Sequence, residues 1–370
     1  MEKKGSGLGT CFPSKFLLSL LVFSSFLCTP ECAKSPAMFI FGDSLIDNGN
    51  NNFLPSLAKA NYAPYGIDFG QPSGRFCNGL TVADFGSKHL GLPYPPPYLS
   101  LASRTSKILD GVNYASAAAG ILEDTGINYG ARVTFTGQLN LFEKTVRKDL
   151  PNLIPNAAAL ARFLESSLFI VNIGSNDYIN NYLLPKLYAT SRIYSGDAFA
   201  DLLITNLSQQ LMRLYSIGAR KIVVVGLGPL GCIPSQLNQH NSTDGRCIER
   251  VNKVVSAFNQ RLLPLTVKLN NSLPGSFFVY QNIYVSFYDL IQNSSKYGFS
   301  VNNQACCGNG MYGGEVSCLP LQRPCNTRDQ FVFWDSFHPT QAANAIMAAR
   351  SYGPEAGDCY PISIYELAQI

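Results

Sequence analysis

The chain has 370 residues, 46% of them apolar and only 14% charged, so it can bury a sizeable core and lacks the composition of a disordered protein. Its net charge is a mild +4 and no run of five Lys or Arg occurs, which argues against a nucleic-acid partner.

The first residues read as a targeting segment. Lys3, Lys4 and Lys15 precede an apolar run from Phe16 to Leu27, broken only by serines. That run is too short to cross a bilayer and fits the core of a signal peptide cleaved between Cys28 and Ala33. Residues 1–33 are therefore expected to leave, and residues 34–370 to form one domain. The expected destination is secreted, extracellular or cell wall, with no stable membrane span after cleavage.

Cleavage there removes Cys11, Cys28 and Cys32 and leaves eight cysteines: Cys77, Cys232, Cys247, Cys306, Cys307, Cys318, Cys325 and Cys359. An even count in an exported chain predicts disulfides. Cys232 and Cys247 flank a polar loop and are placed to staple it. Cys306, Cys307, Cys318 and Cys325 crowd a Gly-rich stretch with no histidine among them, so oxidation is expected there and a metal is not. Four N-x-S/T sequons, at Asn206, Asn241, Asn270 and Asn293, are candidate glycosylation acceptors.

Along the chain, buried strands are expected at 37–41, 112–115, 168–173, 221–225 and 277–281. Between them lie amphipathic patterns. The clearest covers 198–217, with Phe199, Leu203, Leu207, Leu211 and Leu214 on one face. A second runs from 246 to about 270, and a last follows Pro339. Strands alternating with helices predict an α/β fold, a three-layer α/β/α sandwich around a mostly parallel five-stranded sheet.

There are three histidines. His89 sits in a helical pattern as a packing or surface residue, and His240 in a polar loop. His338 lies in Asp335-Ser336-Phe337-His338-Pro339, where the Asp can turn back onto one ring nitrogen and leave the other free to take a proton. At the other end of the chain the 37–41 strand runs into Gly42-Asp43-Ser44. A Ser after a strand is often a plain helix cap, but here it falls at the carboxyl edge of the sheet, where sites in open parallel sheets form. The 112–115 strand leads to Gly120, and the 168–173 strand to Gly174-Ser175-Asn176-Asp177. The Ser44 N–H, the Gly120 N–H and the Asn176 amide together supply three donors for an oxyanion.

In order, Gly42-Asp43-Ser44, Gly120, Gly174-x-Asn176-Asp177 and Asp335-x-x-His338-Pro339 resemble the blocks of the GDSL, or SGNH, hydrolases. The stretches Asp47-Asn48-Gly49-Asn50-Asn51-Asn52, Pro72-Ser73-Gly74-Arg75-Phe76, Gly228-Pro229-Leu230-Gly231-Cys232 and Ala305-Cys306-Cys307-Gly308 are similar to the plant GDSL esterase/lipase branch. The resemblance covers about residues 36–352. It implies a flavodoxin-like sheet, Ser44 as nucleophile, His338 as its base and Asp335 as the partner of that base. It also implies an oxyanion hole from Ser44, Gly120 and Asn176, and cleavage of lipid, cutin-like or cell-wall acyl esters without a cofactor. An extracellular acyltransferase would use the same residues with an alcohol in place of water. A non-catalytic secreted binding protein would tolerate their loss, and all five are present.

The segment Gly226-Leu227-Gly228-Pro229-Leu230-Gly231 spells a dinucleotide fingerprint. Pro229 and Pro234 prevent a helix from opening where a pyrophosphate would sit, so it reads as a backbone turn.

Overall fold

The computed structural model describes residues 35–101, 106–353 and 357–370; the expected signal segment, with Cys11, Cys28 and Cys32, lies outside the described residues. Five strands form the central sheet: β1 (Met38–Gly42), β2 (Leu168–Asn172), β3 (Lys221–Val225), β4 (Phe277–Gln281) and β9 (Cys359–Tyr360). The first four are parallel in the order β1-β2-β3-β4, and β9 pairs antiparallel with β4 at the far edge. Small two-strand pairs join β5 (Val301–Ala305) to β8 (Phe331–Phe333), and β6 (Gly308–Asn309) to β7 (Val316–Ser317).

The sequences MFIFG, LFIVN and KIVVV are rich in β-branched and aromatic residues and buried throughout, as strands covered on both faces require. Their period of two divides the side chains between layers. Phe39, Phe41, Phe169, Val171, Ile222 and Val224 face the helices Phe135–Lys144, Gly196–Ile217 and Glu249–Ser272. Met38, Ile40, Leu168, Ile170, Val223 and Val225 face the helices Val82–His89, Gln341–Tyr352 and Ile364–Gln369. The three-layer sandwich is thus complete. Two helices of the second layer approach closely at Gly86, where an added Cβ would lie 2.6 Å from the Tyr352 ring.

The 112–115 segment departs from the expected strand. It runs parallel beside β1, with the Ile40 N–H donating to the Val112 carbonyl and the Tyr114 N–H to that of Ile40, but forms only a bridge at Asn113. Its outer edge meets the 96–98 segment through a second bridge, the Asn113 N–H donating to the Pro96 carbonyl and the Tyr98 N–H to that of Asn113. Asn50 Nδ2 donates to the carbonyls of Asn113 and Ala115, at 2.9 and 2.8 Å. The Asn113 carbonyl thus accepts from both the Tyr98 N–H and this amide. Counting this segment, the sheet has the 2-1-3-4-5 order of flavodoxin-like folds.

Among the described residues three disulfides form: Cys232–Cys247, which staples the polar loop, Cys306–Cys325 and Cys307–Cys318. The expectation from an even count does not extend to all eight cysteines, because Cys77 and Cys359 stay free. Cys77 is buried among Asn78, Leu80 and Asn344 at one end of the molecule's second layer, and its sulfur accepts from the Gly79 N–H.

A cluster of tilted and edge-to-face rings fills part of the first-layer core. Phe142 packs on Phe39, Phe41, Tyr114 and Phe169, with centroids 5.4 to 5.9 Å apart. Phe142→Ala should therefore cost about 3–5 kcal/mol in urea unfolding. A loss below about 1 kcal/mol would show that this layer collapses around the gap.

Candidate active site

The loops at the carboxyl ends of β1 and β2 and the loop after β8 meet in one cleft, lined among others by Ser44, Ala118, Asn176 and His338. The β1 end is fixed first. Buried Gln138 accepts from the Gly42 N–H and donates to the Gly42 carbonyl, both at 2.8 Å, so the residue two before Ser44 is held on both sides. Ser44 is partly exposed and its Oγ lies 2.8 Å from His338 Nε2. The other ring nitrogen, Nδ1, lies 2.8 and 2.9 Å from the two Asp335 oxygens. Asp335 is fully buried and also accepts from the Phe337 and His338 N–H groups and, at 2.6 Å, from the Tyr65 hydroxyl.

Burial alone would raise the Asp335 carboxyl. The His338 charge and the hydrogen bonds from His338, Tyr65 and Phe337 outweigh it and hold the carboxyl below its usual range. Burial, with the Asp335 charge beside it, pushes the Tyr65 phenol well above its ordinary value, so Tyr65 keeps its proton and donates. The Phe76 ring packs on the imidazole at 5.1 Å. The His338 loop is braced from below, since the Trp334 N–H donates to the His338 carbonyl and the Cys307 N–H to that of Trp334. The Cys306–Cys325 and Cys307–Cys318 bridges therefore sit directly under the imidazole's loop.

The oxyanion side is held by buried polar side chains. Asn176 Nδ2 donates to the Ala119 carbonyl and its Oδ1 accepts from Asn180, which fixes the amide and leaves one N–H over. Asp47 accepts from the N–H groups of Gly49, Asn50 and Ala117, and Asn51 from Ser116 Oγ and the Ala117 N–H. Asp177 accepts from the Ile121 and Leu122 N–H groups and from the Thr125 hydroxyl. The loop from Ser116 to Leu122 is thereby clamped at both ends. Within it, Ala118 lines the cleft with φ 65°. Gly120 is buried and does not line it: an added Cβ there would meet Thr125 at 2.4 Å and Asp177 at 2.7 Å. Among the described residues, neither the Ser44 nor the Ala118 N–H donates to a protein acceptor.

The GDSL-like Lipase/Acylhydrolase family profile matches residues 38–351. GDSL esterase/lipase 7 of Arabidopsis thaliana is 58% identical over 338 residues, 91% of this chain and 93% of its own. Two further Arabidopsis thaliana GDSL esterase/lipases are 48% identical over 343 residues (91% and 89% of the two chains) and 46% identical over 357 (95% of each). The chain belongs to the GDSL lipase/acylhydrolase family. It is a carboxylic ester hydrolase.

Within this GDSL enzyme, Ser44, His338, Asp335 and Asn176 come together, while Gly120 lies in the same loop as Ala118 but does not line the cleft. His89 is exposed on its helix, and His240 lies against Arg250, 2.6 Å away; neither lines the cleft. The Gly226–Gly231 turn is taken up internally. Asn259 bonds both the N–H and the carbonyl of Leu227, and Asn252 accepts from the Gly231 N–H. Tyr65, Phe76 and Gln138 escape sequence reasoning. Their partners lie 270, 262 and 96 positions away, and only Phe76 sits in a segment that the family resemblance marked.

Asp43 remains. Its Oδ1 accepts from the Leu45 N–H at 3.0 Å, and its buried Oδ2 has no partner among the described residues. Burial raises this carboxyl to about 7, although the Leu45 N–H and the His338 charge pull the other way. A raised carboxyl binds its proton more tightly when folded than when unfolded, so its stabilisation is present below about pH 4 and lost as pH rises towards 7. Asp47 and Asp177, both raised to about 6 by burial, act in the same sense. The melting temperature should therefore fall between pH 4.5 and 7.5, and Asp43→Asn should flatten that slope. Calorimetry across this range checks it, and an unchanged slope in the variant would refute the assignment to Asp43.

Proposed function

We propose that this enzyme is a secreted serine esterase that works through an acyl-Ser44 intermediate on lipid, cutin-like or cell-wall acyl esters. The observation that carries the reading is the unbroken hydrogen-bonded chain Ser44–His338–Asp335, opening into a largely apolar cleft. Ser44 Oγ attacks the ester carbonyl while its proton passes to His338 Nε2. Asp335 stays ionised, keeps the Nδ1 proton in place and stabilises the imidazolium. The charge that develops on the carbonyl oxygen is received by the Ser44 N–H, the Ala118 N–H and the free Asn176 N–H. Two residues of that loop line the cleft, and Ala117 gives its N–H to Asp47 and Asn51, so Ala118 is the donor proposed here in place of Gly120. Collapse expels the alcohol, which leaves with the proton from His338. Water then attacks the acyl-Ser44 carbonyl, gives its proton to His338, and releases the acid as Ser44 is restored.

Export is supported by the N-terminal pattern and by three disulfides among the described residues, which persist in oxidising compartments. Of the four sequons, Asn241 is the fitting glycan acceptor, exposed in a turn with φ 48°. Asn270 both donates to and accepts from the Phe278 backbone, so a glycan there would break two bonds. Asn206 and Asn293 donate to Leu202 and Asp289 in their own helical segments. Glycopeptide mapping of the secreted protein should find Asn241 occupied and Asn270 bare; a glycan on Asn270 would contradict this ranking.

Ser44→Ala should lower ester turnover about 10⁴-fold or more and abolish labelling by a fluorophosphonate. Asn176→Ala should lower kcat roughly 10²- to 10³-fold with little change in KM, while labelling slows but persists. Labelling that survives Ser44→Ala would mean another nucleophile. Near-normal kcat per active site in Asn176→Ala, with only a lower melting temperature, would make Asn176 a structural turn residue.

A further inference from the structure

The mouth of the cleft is lined in part by the segment around Leu57, Lys59 and Tyr62. Two loops distant in sequence are tied to that segment. The Leu57 N–H donates to the Tyr129 carbonyl at 2.8 Å, and Ser56 bridges to Gly130, which seats the Ile127–Tyr129 turn beside it. The Tyr62 hydroxyl donates to the Cys318 carbonyl at 2.9 Å, and the Leu321 N–H to that of Ala63 at 2.8 Å, which seats the 316–321 loop. These segments hold their largest aliphatic side chains in water. Leu57 is 81% exposed, Ile127 62% and Leu321 87%, with Val316 and Leu319 also exposed.

Single exposed aliphatic residues are ordinary, but a group of them around a catalytic cleft is not, since contiguous apolar patches on a soluble protein mark contact surfaces. Leu57 belongs both to this group and to the cleft lining, and Tyr62, Tyr129 and Ser317 of the same segments also line the cleft. Lys59 is the one cation lining the cleft among the described residues, and its Nζ makes a long 3.4 Å bond to the Asn52 carbonyl. Exposed aliphatic side chains around an ester-cleaving cleft whose lining holds this one lysine match a surface made of acyl chains.

We propose that this rim seats on an ester-bearing lipid–water interface, so that the substrate passes from the aggregate directly into the Ser44 cleft. The proposal rests on the esterase reading above. Ile127 and Leu321 would dip into the acyl layer, Leu57 would form the threshold, and the loops' positions relative to the cleft would be kept by their bonds to the 56–63 segment.

The test uses the full mature protein carrying Ser44→Ala, so that binding is measured without turnover, and phosphatidylcholine vesicles as probe. The parent should co-sediment with vesicles. Ile127→Ser combined with Leu321→Ser should lower the partition coefficient by about tenfold per side chain, the scale for burying one aliphatic group. In the active background the same pair should leave kcat/KM for a soluble short-chain ester unchanged and lower turnover of an emulsified long-chain ester. If that pair loses its melting transition, Val316→Thr with Leu319→Ser is read by the same criterion. Absence of vesicle binding by the parent, or equal binding by the variant, overturns the proposal. So does a variant that only converts a dimer to a monomer, which would make the rim a contact between copies. Failure of the esterase reading is separate: it would show as no turnover of the soluble ester by the wild type, whatever the vesicles report.

Discussion

Everything at this site depends on a 2.8 Å contact between atoms 294 residues apart, Ser44 Oγ and His338 Nε2. A hydrogen bond of that length fails if either loop drifts by an ångström. The fold meets the demand by fixing each partner from a different body of structure. Ser44 hangs from β1, whose last residue is held by the Gln138 amide and by the neighbouring Asn172 carbonyl, which accepts from the Asp43 N–H. His338 hangs from the loop after β8, which is bonded to the segment containing two disulfides. The sheet and the helix Gln341–Tyr352 join the two bodies, through Ala348 and Tyr352 on the second-layer core.

The polar groups that do this fixing are buried, and their cost decides how they are used. An unpaired buried carboxyl or amide costs several kcal/mol, so each must be nearly saturated by the backbone it holds. Asp47 and Asp177 fit that rule, with three donors each around one loop. Arg75 and Asp84 fit it too: the guanidinium meets the carboxylate through two bonds of 2.7 and 2.8 Å, with both groups buried. Asp84 also accepts from Thr81, capping the helix that carries it. Asp43 breaks the rule with its unpartnered oxygen, and it is the carboxyl that burial raises furthest, to about 7.

Much of this was legible in the sequence because it is local. Apolar runs of β-branched residues located β1 to β4 within a residue or so, and Ser195 and Gly218 bound the Gly196–Ile217 helix as a cap and a left-handed stop should. The Asp335–His338 pair was legible because three residues separate its members. What could not be read is non-local. The 112–115 segment has strand composition, but its neighbours, Ile40 on one side and Pro97 on the other, bridge to it only at Asn113. The antiparallel β9 is two residues long and carries no periodicity. Tyr65 donates to Asp335 from 270 positions away in the chain and has no neighbour in sequence that hints at it. Cys77 and Cys359 counted toward an even total, yet parity says nothing about distance, and each is enclosed by a different part of the second layer.

The Ser116–Leu122 loop shows most plainly how geometry overrides residue type. Glycine is the natural expectation where a backbone N–H must approach a ligand, because it lacks a Cβ and tolerates positive φ. In this chain Ala118, an L-residue at φ 65°, lines the cleft beside Ala117, while Gly120 sits where a Cβ would strike Thr125 and Asp177. The left-handed conformation costs a non-glycine residue about 1–2 kcal/mol. Asp47 and Asn51 bond the Ala117 N–H immediately before it, Asn176 bonds the Ala119 carbonyl immediately after it, and Asp177 holds Ile121 and Leu122. Those bonds, each worth about 1 kcal/mol or more when charge-assisted, exceed the strain they impose. A backbone held against its own preference in this way does not reorganise when charge develops beside it, which is the property an oxyanion donor needs. On the proposed reading the glycine of this loop serves packing and Ala118 carries the strained amide.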